Sequence, residues 1–181
     1  SFKQPSSGIR TINVYGNNIL DGNFNIWGGL RQYTPEGNYF LTPNPDMTLT
    51  VPAATENVIT FGGYDNVTNA FYPKSGRGFT RENRIKPDMT APAVNVYGPG
   101  ISGGYTRRTG TSVACALGAG ACAQILQWGI VEDNEPYMKN NYIKNYLIRG
   151  AERNRDIRYP SEQWGYGTIN VFDSFLILTR T

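Results

Sequence analysis

The sequence contains no histidine and only two cysteines, Cys115 and Cys122. Zinc sites are built mainly from histidine and cysteine side chains, so we expect no metal site in this chain. The two cysteines lie on one predicted helix with their Cα atoms ~10 Å apart, because a helix rises about 1.5 Å per residue. A disulfide requires Cα atoms within about 7 Å, so both cysteines are predicted to be buried free thiols. Without histidine, this chain alone cannot supply the base of a Ser-His-Asp triad.

The sequence also has no large excess of positive or negative charge and no long apolar run. The chain has 17 Lys and Arg residues against 14 Asp and Glu residues, which gives a net charge of +3. Its basic residues are scattered, which argues against nucleic-acid binding. No apolar run approaches the length of a membrane span, so no membrane span is predicted. A chain of 181 residues with 39% apolar residues is long and apolar enough to form a globular core.

The most informative stretch, residues 109–120, reads Thr-Gly-Thr-Ser-Val-Ala-Cys-Ala-Leu-Gly-Ala-Gly. Gly110 permits a sharp turn, because glycine adopts backbone angles closed to other residues. Thr111 and Ser112 then open a helix predicted to reach Trp128, and the positive end of the helix dipole stabilises an anion developing near Ser112. A buried helix of small residues with a capping serine would have the same local sequence. The small residues on one helix face, which would let it lie close to a sheet, are Ala114, Gly118 and Ala121.

Short apolar runs and turn residues predict the other elements. These are antiparallel strands over 9–30, a buried parallel-sheet strand over 58–64, a short strand ending near Tyr97, a loop over 98–108, and helices over 137–149 and 168–178. Strands in a parallel sheet with helices beside them indicate the α/β class.

Four separate segments resemble motifs of the subtilisin-like serine proteases (subtilases), in that family's order. They are Val-Ile-Thr-Phe-Gly-Gly-Tyr at 58–64, Lys-Pro-Asp-Met-Thr-Ala-Pro-Ala-Val at 86–94, Gly-Thr-Ser at 110–112 and Trp-Gly-Tyr-Gly-Thr-Ile-Asn at 164–170. The family's counterparts are its V-x-V-G-A strand, its KPDxxAPGV segment, its nucleophile block and its GyGxxn segment. The resemblance implies the C-terminal half of a subtilisin-like parallel sheet with packed helices, over about residues 50–178.

The preceding residues resemble a narrower group. The pieces Gly-Ile-Arg at 8–10 and Asp-Gly-Asn-Phe-Asn-Ile-Trp at 21–27 are similar to the end of a jelly-roll insertion. Such an insertion occurs in the bacterial germination-specific Csp subtilases of clostridia. The implied organisation is the end of this β insertion and a linker over 1–42, followed by the C-terminal part of the catalytic domain over 43–181. The implied location is extracytoplasmic or spore-associated.

The same resemblance implies roles for four residues. Ser112 would be the nucleophile, its own N–H and Thr111 would form part of the oxyanion hole, and Arg108 and Thr109 would bind substrate on the leaving-group side. The catalytic Asp and His would come from an N-terminal half of the parent protease. Three departures from the family's pattern are Ala93 in place of Gly, Ala116 in place of Pro and Leu117 in place of His. Asp88 is interpreted as a structural carboxylate satisfied by loop amides.

Three functions remain open from the sequence. The chain could be the serine-bearing part of an endopeptidase that is inactive alone and whose parent acts on protein or peptide substrates, including a spore cortex-lytic zymogen. Alternatively, the parent is a pseudoprotease scaffold that retains Ser112 by descent. A carbohydrate- or protein-binding β module would depend on residues 9–30 alone. No cofactor is expected, and calcium binding by the parent is left open.

Overall fold

The computed structural model describes residues 8–29 and 34–179. The chain forms two compact units, Ser1–Leu41 and Thr42–Thr181. The strands of the second unit are β1 (Phe61–Asp65), β2 (Ala70–Phe71), β3 (Met89–Pro92), β4 (Val96–Pro99) and β5 (Tyr105–Arg108). Its helices are α1 (Thr111–Leu126), continued by a π-helical segment (Gln127–Val131), α2 (Asn140–Gly150) and α3 (Val171–Leu178). The predicted α/β class is confirmed.

A small mixed sheet forms the centre of this unit. Its strand order is β2-β1-β3, with β1 parallel to β3 and antiparallel to β2. The parallel register pairs Phe61 with Met89 and Tyr64 with Pro92. The predicted strand over 58–64 is therefore confirmed, although it begins three residues later.

The predicted loop over 98–108 is wrong, because this segment completes a β-hairpin. Strands β4 and β5 pair antiparallel, and the Gly100 N–H donates to the Gly104 carbonyl at 2.9 Å across the turn. The rings of Tyr97 and Tyr105 stack on one face of the hairpin with centroids 5.2 Å apart. Such cross-strand aromatic pairs stabilise a hairpin whose turn residues alone indicate a loop.

Helix α1 lies tight against the sheet through small side chains. The buried residues of this helix are Ala114, Gly118, Ala121 and Ile125. A Cβ atom on Gly118 would overlap the ring of Phe61 on β1, so this helix position requires glycine. The predicted close approach of helix and sheet is confirmed.

The other side of α1 is exposed, and Leu117 and Leu126 retain 41% and 36% of their accessible surface. Together with the π-helical segment, the helix over Thr111–Val131 is long and apolar enough to cross a membrane by length and composition. The prediction of no membrane span is therefore not confirmed. A core helix passes the same test, and α1 has the buried face of a core helix.

Helices α2 and α3 complete the core. The main apolar cluster comprises Met89, Ala121, Ile125, Met138, Ile143, Leu147 and Leu178. Gly150 ends α2 directly against Ser174 of α3, where a Cβ atom would overlap the serine. Asn170 caps α3, because its side-chain oxygen accepts a hydrogen bond from the Asp173 N–H at 3.0 Å. Both predicted helices are confirmed, with later starts.

Asp88 is a fully buried carboxylate held by two lysines and one amide. Lys86 Nζ lies 2.7 Å from Oδ2, and Lys144 Nζ on α2 lies 2.5 Å from Oδ1. The Thr60 N–H donates to Oδ2 at 2.7 Å. Burial lowers the pKa of the Lys86 ammonium, whereas its hydrogen bond to Asp88 opposes that shift. The expected loop amides thus account for one of three partners, and the ion pairs tie α2 to the start of β3.

The predicted antiparallel strands over 9–30 are not observed. In the first unit, the described residues 8–29 and 34–41 contain no strand, and residue 30 of the prediction lies outside them. The apolar side chains that alternate along this segment stay exposed, including Ile12 at 67% and Phe24 at 61%. Isolated strand pairs are marginal in water, and these apolar side chains lack the packing surface that a sheet requires.

The departure at Ala93 has a structural explanation at Gly63. Ala93 is fully buried beside β1, and a Cβ atom added to Gly63 would lie 2.6 Å from the Ala93 Cβ. The segments that resemble the family motifs carry Gly63 where the motif has Ala, and Ala93 where the motif has Gly. In this chain only Ala93 carries a methyl group at this contact, so the space between the two positions is filled once.

We predict that Gly63→Ala destabilises the chain by about 1–3 kcal/mol, because a second methyl group overfills this contact. The double variant Gly63→Ala/Ala93→Gly should recover most of that loss, with a coupling above about 1 kcal/mol in a urea-denaturation double-mutant cycle. Gly98→Ala on β4 is the control, because a Cβ atom there meets nothing within 4 Å. Additive effects of the two substitutions would contradict the exchange of methyl groups.

Candidate active site

The turn before α1 has a backbone conformation that only glycine adopts readily. Gly110 has φ 155° and ψ 158°, and the helix begins at the next residue, Thr111. Gly110 contributes no side-chain cap to the helix. The sharp turn predicted at Gly110 and the helix start predicted at Thr111 are both observed.

Hydrogen bonds fix this turn to the loop that follows β3. The Gly110 N–H donates to the Ala93 carbonyl at 2.8 Å, and the Asn95 N–H donates to the Thr109 hydroxyl oxygen at 2.9 Å. The Val113 N–H closes the turn on the Gly110 carbonyl at 3.0 Å. The start of α1 is thereby held at the carboxyl end of the parallel strands, where α/β proteins commonly bind ligands.

Ser112 is the second residue of α1 and is exposed. Its hydroxyl has no hydrogen-bond partner in the described part of the chain. The first amides of a helix have no partner within the helix, so the N–H groups of Thr111 and Ser112 are placed to bind an anion. The Thr111 methyl group lies on the sheet side, 3.6 Å from the position that a Cβ atom on Gly63 would occupy. The arrangement can hold an oxyanion beside a free hydroxyl.

Arg108 and Thr109 connect the hairpin to this turn. Arg108 is the last residue of β5, pairs across the hairpin with Val96 and is exposed. Within residues 8–29 and 34–179, no ion pair to Arg108 is seen. The Thr109 hydroxyl is engaged by Asn95, as described above. That either residue binds substrate stays a prediction.

An open cleft of about 560 Å³ lies beside the same helix and was not predicted from the sequence. It is lined by Asp65, Asn66, Val67, Pro92, Asn95, Val96, Tyr97, Arg107 and Leu117. These residues end or follow β1 and β3, or belong to the hairpin and α1, so only the folded topology brings them together. An acidic residue at the end of a buried strand, here Asp65, was the available sequence signal.

The two cysteines of α1 differ in their exposure to solvent. Both cysteines are free, but Cys115 is exposed and only Cys122 is partly buried, so the prediction of two buried thiols is wrong for Cys115. Burial raises the pKa of the Cys122 thiol, and the neighbouring Cys115 adds to that shift. In the ranges that the structure describes, no group of three or more Cys, Asp or Glu residues could hold a metal ion.

Comparison with known proteins supports one family. The model of the subtilase family (Peptidase S8) matches residues 22–167. The CspB protease of Clostridium perfringens has a similar structure, with a TM-score of 0.73 and 37% identity over 77% of this chain and 30% of that one. Mouse membrane-bound transcription factor site-1 protease is 30% identical over 73% of this chain. The serine protease AprX of Bacillus subtilis is 28% identical over 72% of this chain.

The chain spans only part of these relatives, namely 12% of the mouse site-1 protease and 32% of AprX. The family match covers the sheet, the hairpin, the Gly110 turn and all of α1 and α2. Because the match extends over most of the chain and a relative is 30% identical over 73% of it, the chain belongs to the subtilase family of serine proteases.

Proposed function

We propose that Ser112 is the nucleophile of a serine endopeptidase and that this chain is the serine-bearing part of its catalytic domain. The observation that carries the proposal is the exposed and unpartnered Ser112 hydroxyl directly behind the Gly110 turn. In acyl transfer this oxygen attacks the peptide carbonyl, and its proton passes to a base. The peptide nitrogen then leaves with a proton, and water hydrolyses the ester.

The oxyanion of the tetrahedral intermediate would form at the start of α1. The Ser112 N–H is the first donor, and the Thr111 hydroxyl is proposed as an additional contact. Preorganised donors of this kind are worth a factor of about one hundred to one thousand each, a range that comes from subtilisin, a member of the same family. The positive end of the α1 dipole acts in the same direction.

The base must come from outside this chain, because the sequence contains no histidine. We propose that an N-terminal half of the parent protease supplies Asp and His and covers the exposed side of α1. This side presents exposed apolar side chains, with Ala116 and Leu117 about one turn from Ser112 and Leu126 at the far end of the helix. Exposed apolar side chains beside a catalytic residue are typical of a surface that packs against another protein segment. The chain alone is therefore expected to be inactive.

The parent would act on protein or peptide substrates, with Arg108 and Thr109 bordering the leaving-group side. Arg108 is exposed and unpaired in the described residues, whereas Thr109 is engaged by Asn95. The narrower proposal is a Csp-type protease with a jelly-roll insertion that processes a zymogen during spore germination. It is supported by the 37% identity to the CspB protease. This proposal implies an extracytoplasmic or spore-associated location.

A pseudoprotease scaffold is the second candidate function. The observation that favours it is the replacement of Pro by Ala116 and of His by Leu117 on the exposed side of α1. These changes alter the surface next to Ser112 without changing the Gly110 turn. Such a protein would keep the fold of the site and bind partners without cleaving them.

Labelling with a fluorophosphonate distinguishes the two functions. We expect no labelling of this chain alone, and labelling at Ser112 when the N-terminal half is restored, because only then does a base activate the hydroxyl. Ser112→Ala should abolish labelling, whereas Ser102→Ala, an exposed serine in the hairpin turn, should not change it. A folded two-half protein that does not label would contradict the protease proposal and favour the scaffold.

Arg108 should favour acidic residues on the leaving-group side of the substrate. We expect Arg108→Gln to lower kcat/KM about fivefold for a peptide with Glu there, since an exposed ion pair is worth up to about 1 kcal/mol. The matched peptide with Gln should be cleaved at an unchanged rate. Arg155→Gln, an exposed arginine after α2, is the control variant. Equal losses on both peptides would show that Arg108 does not read substrate charge.

A further inference from the structure

Thr109 makes a contact that the proposed chemistry does not use. Its hydroxyl oxygen accepts a hydrogen bond from the Asn95 backbone N–H at 2.9 Å. Thr109 lies one residue before Gly110 and three before Ser112. Because Val96 pairs with Arg108 on the hairpin, this contact extends the link between the two strands by one position toward the Gly110 turn.

The loop that receives this bond is itself firmly held. Ala93 is fully buried, and its N–H donates to the Tyr64 carbonyl at 2.8 Å, which continues the pairing of β1 and β3. Asn95 follows with φ 51°, a left-handed conformation that asparagine tolerates better than most residues. The Asn95 N–H therefore has a fixed position relative to the parallel strands.

The turn needs more than one attachment to be fixed in orientation. Among the described residues, the backbone of Gly110 is bonded to this loop only at the Ala93 carbonyl. A single hydrogen bond fixes a distance but leaves the chain free to rotate about it, and glycine resists such rotation least. The Thr109–Asn95 bond lies two residues along the loop and limits that rotation, next to the pairing of Arg108 with Val96.

The position of Ser112 depends directly on the conformation of the Gly110 turn. Its hydroxyl has no partner in the described residues, so only the backbone fixes where the Ser112 side chain starts and where the adjacent N–H points. A misplacement of about 1 Å at a reacting group can cost a factor of one hundred in rate. Small rotations at residues 109–111 would therefore reach the reacting atoms.

We propose that Thr109 is a positioning residue, which acts through the Asn95 amide to fix the orientation of the Gly110 turn and with it the Ser112 hydroxyl and oxyanion amide. The role assigns the Thr109 hydroxyl to the fold of the site instead of to substrate contact. Its importance for catalysis rests on the proposed function of Ser112.

The test compares Thr109→Val with Thr109→Ser. Valine keeps the branched shape but removes the acceptor, whereas serine keeps the acceptor. Thr106→Val is the control, because Thr106 lies on β5 and its hydroxyl has no side-chain hydrogen bond in the described residues. Loss of one exposed hydrogen bond corresponds to a change of about fivefold in an equilibrium.

The first measurement is amide hydrogen exchange on the chain itself. Thr109→Val should speed exchange about fivefold at the Asn95 amide, which loses its acceptor, and at the Gly110 amide, whose bond to the Ala93 carbonyl holds the turn. Thr109→Ser and Thr106→Val should leave both rates unchanged. Unchanged exchange at both amides in Thr109→Val would overturn the proposal. This measurement needs no activity and so decides the positioning role even if Ser112 proves not to be a nucleophile.

The second measurement uses the protein with its N-terminal half restored. Thr109→Val should slow fluorophosphonate modification of Ser112 and lower kcat by about fivefold or more with KM unchanged, and Thr109→Ser should restore both. A raised KM with unchanged kcat would assign Thr109 to substrate binding and overturn the proposal. Absence of labelling in the unsubstituted protein would count against the proposed function instead.

Discussion

The close approach of α1 to the parallel strands is the constraint on which the rest of the structure depends. Gly118 leaves room for the ring of Phe61, and Ala114 and Ala121 are buried on the same helix face. A larger residue at any of these positions would push the helix outward. The start of α1 would then lose its place at the carboxyl ends of β1 and β3, and Ser112 would move with it.

Small side chains also set the packing of the loop that supports the Gly110 turn. The Ala93 methyl group fills the space beside Gly63 on β1, and the carbonyl of Ala93 accepts the hydrogen bond from Gly110. Packing in the sheet and orientation at the site are thus linked through one residue. The buried Asp88 and its two lysines tie α2 to β3, and removal of the Asp88 carboxylate would leave the buried Lys86 ammonium without its partner charge.

Much of this arrangement could be predicted from local sequence. The parallel strand at Phe61–Asp65, the Gly110 turn and the small face of α1 each follow from residue types within a few positions of one another. The hairpin of β4 and β5 could not be predicted in this way, because its stability comes from the stacking of Tyr97 on Tyr105 across a glycine-rich turn. The partners of Asp88 include Lys144 from a distant helix, which no local pattern indicates.

Two predictions failed because they depended on what covers a surface. Cys115 lies on the side of α1 away from the sheet, and periodicity alone does not say whether a second layer buries that side. The alternating apolar residues of 9–30 are typical of a strand, but the described ones form no strand and their side chains stay exposed. Both failures concern exposed surfaces whose burial would need a further layer of chain.

The most direct measurement of the central claim is a crystal structure of the protein with its N-terminal half restored. The account predicts a histidine ring nitrogen within about 2.6–3.2 Å of the Ser112 Oγ, or slightly farther without substrate. It also predicts that the side of α1 carrying Leu117 is buried. A structure with no histidine in reach of Ser112, or with that side of α1 still exposed to water, would contradict the account.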